Sequence, residues 1–105
     1  MNDTVHAMNR AQKQQAILAR DLLQLAVDRW DDADIVERVS DYIFSLSMLF
    51  DEYDPDTPIQ WHELFIILDV RYAHLREGLE SPDTDLLNKA RSMYDLLQDW
   101  ISRQF

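Results

Sequence analysis

The histidines are the first residues of this sequence whose type could support metal chemistry. The chain has three, His6, His62 and His74. A di-iron helical bundle requires a glutamate three residues before each metal-binding histidine, and neither His62 nor His74 has one. His62 and Glu63 also lack the second histidine of a zinc-protease helix. The spacing therefore favours solvated or hydrogen-bonded histidines over metal ligands.

Carboxylates are concentrated between residues 51 and 56, where they could attract calcium, which favours several oxygen ligands on one loop. An EF-hand loop also needs glycine at its sixth position and glutamate at its twelfth. Counting from Asp51 places Asp56 and His62 at those positions. We interpret the segment as an acidic loop before a helix, and we expect neither a metal nor a cofactor.

The composition argues against catalysis. The chain has no cysteine, which excludes disulfides, thiolate nucleophiles and cysteine-bound zinc. Its single glycine, Gly78, cannot form a glycine-rich phosphate loop. The serines fall in helical or capping contexts and not at a strand-to-helix elbow. We therefore expect a protein that is not an enzyme.

The charge balance limits the partners. Twenty acidic residues against ten basic ones give a formal net charge of −10. Duplex nucleic acid and anionic membranes both repel such a chain, so we expect no direct nucleic-acid partner and no membrane partner. The polar N-terminal segment lacks the apolar run of a signal peptide, and no stretch approaches the ~20 apolar residues of a membrane span. These features predict a cytoplasmic protein whose partner is another protein.

Helices are the elements that would position these residues. One glycine and three prolines in 105 residues, 47% of them hydrophobic, cannot supply the turns of a β-sandwich. Apolar spacing predicts helices at about 4–30, 33–53, 58–78 and 82–103, in a single domain spanning residues 1–105. Short connections favour antiparallel neighbours. The predicted fold is all-α, an antiparallel up-down four-helix bundle with an overhanging N-terminal helix.

Helix-capping residues support these boundaries. Asp31 and Asp32 can cap the second helix. Thr57, Pro58 and Gln60 match a capping box, with threonine as the cap and proline at the first helical position. Ser81 and Pro82 repeat the arrangement of a capping residue followed by proline before the fourth helix. The third and fourth helices are therefore predicted to begin at the prolines.

The first helix combines a basic strip with two apolar stripes. Arg10, Lys13 and Arg20 are charged, and no acidic residue lies between Thr4 and Arg20. This strip, together with Val5 and Met8, is predicted to dock on an acidic surface such as a second copy of the chain; the alternative is an ordinary solvated helix. The two stripes are predicted to form one broad apolar face in the second half of the helix only. They comprise Met8, Ala11, Gln15, Leu18, Leu22 and Leu25, and Ala16, Ala19, Leu23, Ala26 and Trp30.

More apolar side chains line the other helices than a bundle core requires. We predict that the surplus forms an exposed patch, because such patches mark protein interfaces. The alternative is a one-residue error in helical phase, which would move several of them inside. A homodimer through helices 2 and 3 or 3 and 4 is the expected outcome. The surplus residues are Phe44, Met48, Ile66, Ile67, Val70, Leu96, Trp100 and Phe105.

These observations support one leading functional hypothesis. The chain is predicted to be a non-catalytic regulator, a small inhibitor or antiactivator that sequesters a partner protein such as a transcription regulator. A secretion-type chaperone and an acidic nucleic-acid mimic are the alternatives. A ligand-binding or enzymatic bundle would need a polar pocket inside the core. The sequence shows no feature that requires one.

Overall fold

The computed structural model describes residues 10–49, 59–78 and 83–104, with four helices: α1 (Arg10–Asp28), α2 (Ala33–Leu49), α3 (Trp61–Arg76) and α4 (Thr84–Gln104). Helix α1 packs on α2 and α4, and α3 packs on the same two helices, so the four form a closed ring. The described residues contain no strand. The predicted four-helix bundle is confirmed. The predicted overhang at the N-terminus lies outside the described residues.

The core is built from one buried stripe on each helix. Full burial of one large aliphatic side chain stabilises a fold by roughly 1.5–3 kcal/mol, so these stripes supply most of the driving force. In α1 the stripe contains three alanines, which let neighbouring helices approach closely. The principal core residues are Ala16, Ala19, Leu23, Ala26, Trp30, Val36, Val39, Ile43, Leu46, Trp61, Leu64, Ile67, Leu68, Ala90, Leu97, Trp100 and Ile101.

The predicted cap of the second helix is confirmed at Asp32. Its Oδ1 atom accepts hydrogen bonds from the backbone N–H groups of Asp34 at 3.1 Å and Ile35 at 3.3 Å. These are amide groups in the first turn of α2 that have no partner within the helix. The negative charge also lies where the helix dipole favours it.

The predicted start of the third helix is wrong. Helix α3 begins at Trp61, and Gln60 lies just before it with extended backbone angles, φ −97° and ψ 113°. Gln60 therefore cannot be the third helical residue of a capping box, and its own side chain makes no capping bond. Ile59 is buried in the core, which accounts for an extended approach to the helix. Thr57 and Pro58 lie outside the described residues.

The fourth helix also begins later than predicted. Asp83 has a positive φ of 47° and is not helical, while its carbonyl accepts the first helical hydrogen bond, from the N–H of Leu87 at 3.0 Å. Helix α4 therefore starts at Thr84, and the predicted start at residue 82 is wrong. Ser81 and Pro82 lie outside the described residues.

Two helices end slightly before their predicted ends. Helix α1 ends at Asp28, and α3 ends at Arg76. Beyond α3, the N–H groups of Glu77 and Gly78 bond back to the carbonyls of Ala73 and Leu75, both at 3.1 Å. Gly78 has φ 71°, the left-handed conformation that glycine adopts most easily after a helix.

Candidate docking surface

A patch of large apolar side chains lies on the outer face of α2 and α3. Phe44 of α2 is 40% exposed, Met48 one turn further is 77% exposed, and Ile66 of α3 is 46% exposed. The Phe44 ring packs against Phe65 of α3, with ring centroids 4.9 Å apart at an angle of 51°. We call Phe44, Met48, Phe65 and Ile66 the α2–α3 face.

Helical phase explains why these side chains are outside the core. The buried stripe of α3 contains Trp61, Leu64 and Leu68, and a residue two positions from Leu64 or Leu68 points away from it. Ile66 is therefore on the outward side. His62, four residues earlier, is exposed next to it, and its ring centroid lies 6.0 Å from that of Phe65.

Carboxylates border the α2–α3 face. Asp41 on α2 and Glu63 and Asp69 on α3 are all exposed. The apolar patch thus has an acidic border.

Farther along the two helices, a hydrogen bond to Glu37 raises the pKa of the Tyr72 hydroxyl above its usual value, with burial adding to the shift.

Two residues predicted for the exposed patch are in the core. Ile67 and Trp100 are both buried within the chain, so their predicted exposure is wrong. The cause is helical phase, since Ile67 lies three residues after Leu64 and Trp100 three after Leu97, on the inward side of each helix. Val70 is partly exposed.

Of the side chains predicted for the N-terminal docking segment, the structure describes Lys13 but not Val5, Met8 or Arg10. Val5 and Met8 lie outside the described residues, and Arg10 is the first residue of α1, with a side chain that is also outside them. Lys13 is partly exposed on α1, a helix that does not contact α3 in the described part of the bundle.

A buried arginine joins two connections at one end of the bundle. Arg71 of α3 is 1% exposed, and its Nε atom donates to the carbonyl of Trp30 at 2.9 Å. Its two terminal nitrogens contact Asp31 at 2.7 Å and Asp83 at 3.1 Å. Its Cζ atom lies 5.4 Å from the Trp30 ring centroid. The arginine thereby brings together the acidic segments before α2 and before α4.

Asp83 is held by a second side chain as well. Nδ1 of His74 lies 2.7 Å from the same Asp83 oxygen that Arg71 contacts. Burial alone would raise the pKa of Asp83, but the hydrogen bonds and positive charges of His74 and Arg71 outweigh it and hold the pKa below its usual value. These contacts hold α3 against Asp83, the residue that directly precedes α4.

The sequence interpretation missed Arg71, although the sequence carries a signal for it. Arg71 lies three residues after Leu68 and seven after Leu64, on the buried stripe of α3. A charged residue on an apolar stripe predicts a buried ion pair, because an unpaired buried charge is too costly. Its partners could not be predicted, since they lie 40 and 12 positions away.

Neither a metal-binding cluster nor a membrane span is found in the described ranges. No group of three histidine or acidic side chains in residues 10–49, 59–78 and 83–104 is placed to hold a metal ion. Over the same ranges, no helix is long and apolar enough to cross a bilayer. The acidic loop at residues 51–56 is outside the described chain.

The fold and the surface define a small four-helix bundle that carries an exposed apolar face with an acidic border. No known family model, curated protein or solved structure matches this chain.

Proposed function

We propose that this protein is a non-catalytic regulator that binds and sequesters another protein through the α2–α3 face. The observation that carries the proposal is the joint exposure of Phe44, Met48 and Ile66 around the Phe44–Phe65 contact. Aromatic side chains and methionine are enriched in protein interfaces, and burying them on a partner removes apolar surface from water.

The occupant that fits this surface is an amphipathic helix of the partner protein with basic residues beside its apolar stripe. The exposed apolar side chains come from two neighbouring helices, α2 and α3, and a third helix can lay its apolar side across both. The exposed carboxylates of Asp41, Glu63 and Asp69 would meet lysine or arginine on that helix. Charge complementarity of this kind raises association rates and selects among partners.

Sequestration is the regulatory consequence. A partner helix bound on the α2–α3 face is withheld from its other contacts, such as dimerisation or nucleic-acid binding, which describes a small inhibitor or antiactivator. A secretion-type chaperone would use the same apolar face to hold a client that is unfolded on its own. A nucleic-acid mimic would need evenly spaced surface carboxylates, whereas the acidic residues of this sequence are clustered, with four of them between residues 51 and 56.

Site-specific photo-crosslinking tests the proposal. A photo-reactive amino acid at Met48 should crosslink one partner protein in native extract, and the same amino acid at Ser92, an exposed position on α4, should not. The crosslinked segment, made as a peptide, should form a helix on binding. Met48→Glu and Ile66→Glu should each weaken peptide binding about tenfold or more, because each puts a carboxylate in the apolar contact.

Leu96→Glu is the matched control for Ile66→Glu, since Leu96 on α4 is 49% exposed and Ile66 is 46% exposed, and it should leave peptide binding unchanged. Equal crosslinking from Met48 and Ser92, or peptide binding that is insensitive to both glutamate variants, would show that the α2–α3 face is not the docking surface. A peptide that binds in an extended, unfolded form would favour the chaperone.

A further inference from the structure

Met48 is the most exposed large apolar side chain in the described ranges. It is 77% exposed, whereas the other exposed large apolar side chains lie between 38% and 49%. It follows Phe44 by one helical turn, near the end of α2, and belongs to the α2–α3 face. In the unbound protein its thioether group is therefore open to small solutes.

Few other sulfur atoms compete for an oxidant. The sequence has four methionines and no cysteine. Met93 on α4 is only partly exposed and packs against the core, while Met1 and Met8 lie outside the described residues. An oxidant must reach the sulfur atom in order to react with it, so Met48 should react before Met93.

Oxidation changes the polarity of a methionine side chain and leaves the backbone intact. Hydrogen peroxide transfers one oxygen atom to the thioether: a sulfur lone pair forms the S–O bond, the O–O bond breaks, and water is released. The thioether is a flexible apolar group, whereas the sulfoxide is polar and its oxygen accepts hydrogen bonds. A methionine sulfoxide reductase reverses the change with two thiols, which leave as a disulfide together with water.

The hydroxyl groups of α2 nearest to Met48 in sequence are already used as donors. Ser45 Oγ donates to the carbonyl of Asp41 at 3.2 Å, and Ser47 Oγ donates to the carbonyl of Phe44 at 2.6 Å. The apolar stripe of a docked helix offers no donor either. A sulfoxide oxygen covered by that stripe would lose its hydrogen bonds to water, which is costly.

We propose that Met48 is a reversible oxidation site, at which conversion of the thioether to the sulfoxide by peroxide prevents a partner from docking on the α2–α3 face. The oxidation is a property of the free protein, whereas its effect on docking rests on the proposed function. A bound partner covers the sulfur atom, so peroxide acts on the unbound protein and keeps it unbound.

Peptide mapping by mass spectrometry tests the oxidation site. The folded full-length protein is treated with hydrogen peroxide, and the oxidised fraction of each methionine is followed over time. Met48 should be oxidised about fivefold faster than Met93 or more, and unfolding in urea should remove most of this difference because both sulfur atoms are then accessible. Equal rates in the folded protein would overturn the assignment, whatever the result for docking.

Peptide binding tests the effect on docking. The probe is an amphipathic helical peptide of leucine and lysine, followed by fluorescence anisotropy. Oxidised wild type should bind it about tenfold more weakly than reduced wild type, and methionine sulfoxide reductase should restore the binding. Met48→Leu is the matched control, because leucine keeps the position apolar and is not oxidised by peroxide, so peroxide should not change its binding. Helical circular dichroism should be unchanged by oxidation, since Met48 is outside the core.

The outcomes separate the oxidation switch from the proposed function. Equal binding before and after complete oxidation of Met48, or the same loss of binding in Met48→Leu, would overturn the switch and leave the docking surface in place. If reduced wild type does not bind the peptide, or if Ile66→Glu does not weaken the binding, the proposed function and the switch are both contradicted, while the oxidation rates of Met48 and Met93 still decide the modification site.

Discussion

Arg71 is the charged residue that is buried in the described part of the chain. Its guanidinium group is buried, so folding removes it from water, and such a transfer costs several kcal/mol unless the group is fully paired. Here it has two carboxylates, Asp31 and Asp83, and the Trp30 carbonyl. Asp31 is itself almost fully exposed, so its contribution is screened by solvent, and Asp83, which is 9% exposed, is the stronger partner.

The buried contact of Asp83 predicts a pH dependence of stability. The pKa of this carboxyl is lower in the folded protein than its ordinary value of 3.8, because the effects of His74 and Arg71 exceed that of burial. A lowered folded-state pKa stabilises the fold above the ordinary value, and that stabilisation is lost as the pH falls below 3.8. Asp83→Asn should therefore cost about 1.5–3 kcal/mol at neutral pH, the usual contribution of a charge-assisted hydrogen bond.

Urea unfolding from pH 7 down to pH 3 measures this effect. Below about pH 3.8 the wild-type free energy of unfolding should fall more steeply than that of Asp83→Asn, so that the difference between the two curves begins to narrow. Asparagine tolerates the positive φ at this position, so the backbone is retained in the variant. A constant difference between the curves across the whole range would show that the Asp83 charge is not involved.

At the scale of the helices, the sequence predicts that the four helices exist, but it does not predict for every helix which face is buried. Four helices could be predicted because glycine and proline are scarce and the apolar residues have regular helical spacing. On α1, however, Leu18 and Leu23 belong to stripes that are equally regular in sequence, and only packing decides which one is buried. Alanine-rich stripes allow closer helix contact, which explains why the stripe with smaller side chains faces inward.

The predicted starts of the third and fourth helices were wrong for a different reason. The capping box at residues 57–60 satisfies local rules, yet α3 begins at Trp61 because Ile59 is buried in the core and Gln60 is extended. A long-range contact thus overrides a local preference. The α2–α3 face was predicted in part, since Phe44, Met48 and Ile66 are exposed while Ile67 and Trp100 are buried, and the difference is one residue of helical phase.

Gly78, which follows the end of α3, allows a prediction about backbone strain. Gly78 has φ 71° and an added Cβ would meet no atom within 4 Å, so a substitution there changes backbone strain alone. Gly78→Ala should destabilise the fold by about 1–2 kcal/mol, the cost of the left-handed conformation for an ordinary residue. Gly78→Asn should cost clearly less, because asparagine adopts this conformation more readily. Equal thermal destabilisation of the two variants would indicate that the strain is not the cause.

For the molecule as a whole, charge is distributed unevenly along the bundle. The chain has ten more acidic than basic residues, yet α1, α2, α3 and α4 together carry nearly balanced charge, so most of the excess falls outside residues 10–28, 33–49, 61–76 and 84–104 of the sequence. At the end where α1 meets α2 and α3 leads to α4, Asp28, Asp31, Asp32 and Asp83 lie together. Arg71 offsets only part of this negative charge.

The effect of the excess negative charge at this end of the bundle should be measurable at Asp28. It occupies the last position of α1, where the helix dipole disfavours an anion, and that last turn contains no basic residue. Asp28→Asn keeps an oxygen to accept the 2.8 Å hydrogen bond from Gln24 but removes the charge. We expect the variant to be more stable by about 0.3–1 kcal/mol at low ionic strength. Salt should raise the melting temperature of the wild type more than that of the variant, because screening removes the same repulsion.

Asp41→Asn, in the middle of α2, is the control and should change neither the stability nor its salt dependence. A salt response that is identical in all three proteins would mean that the acidic end does not limit the stability of the bundle.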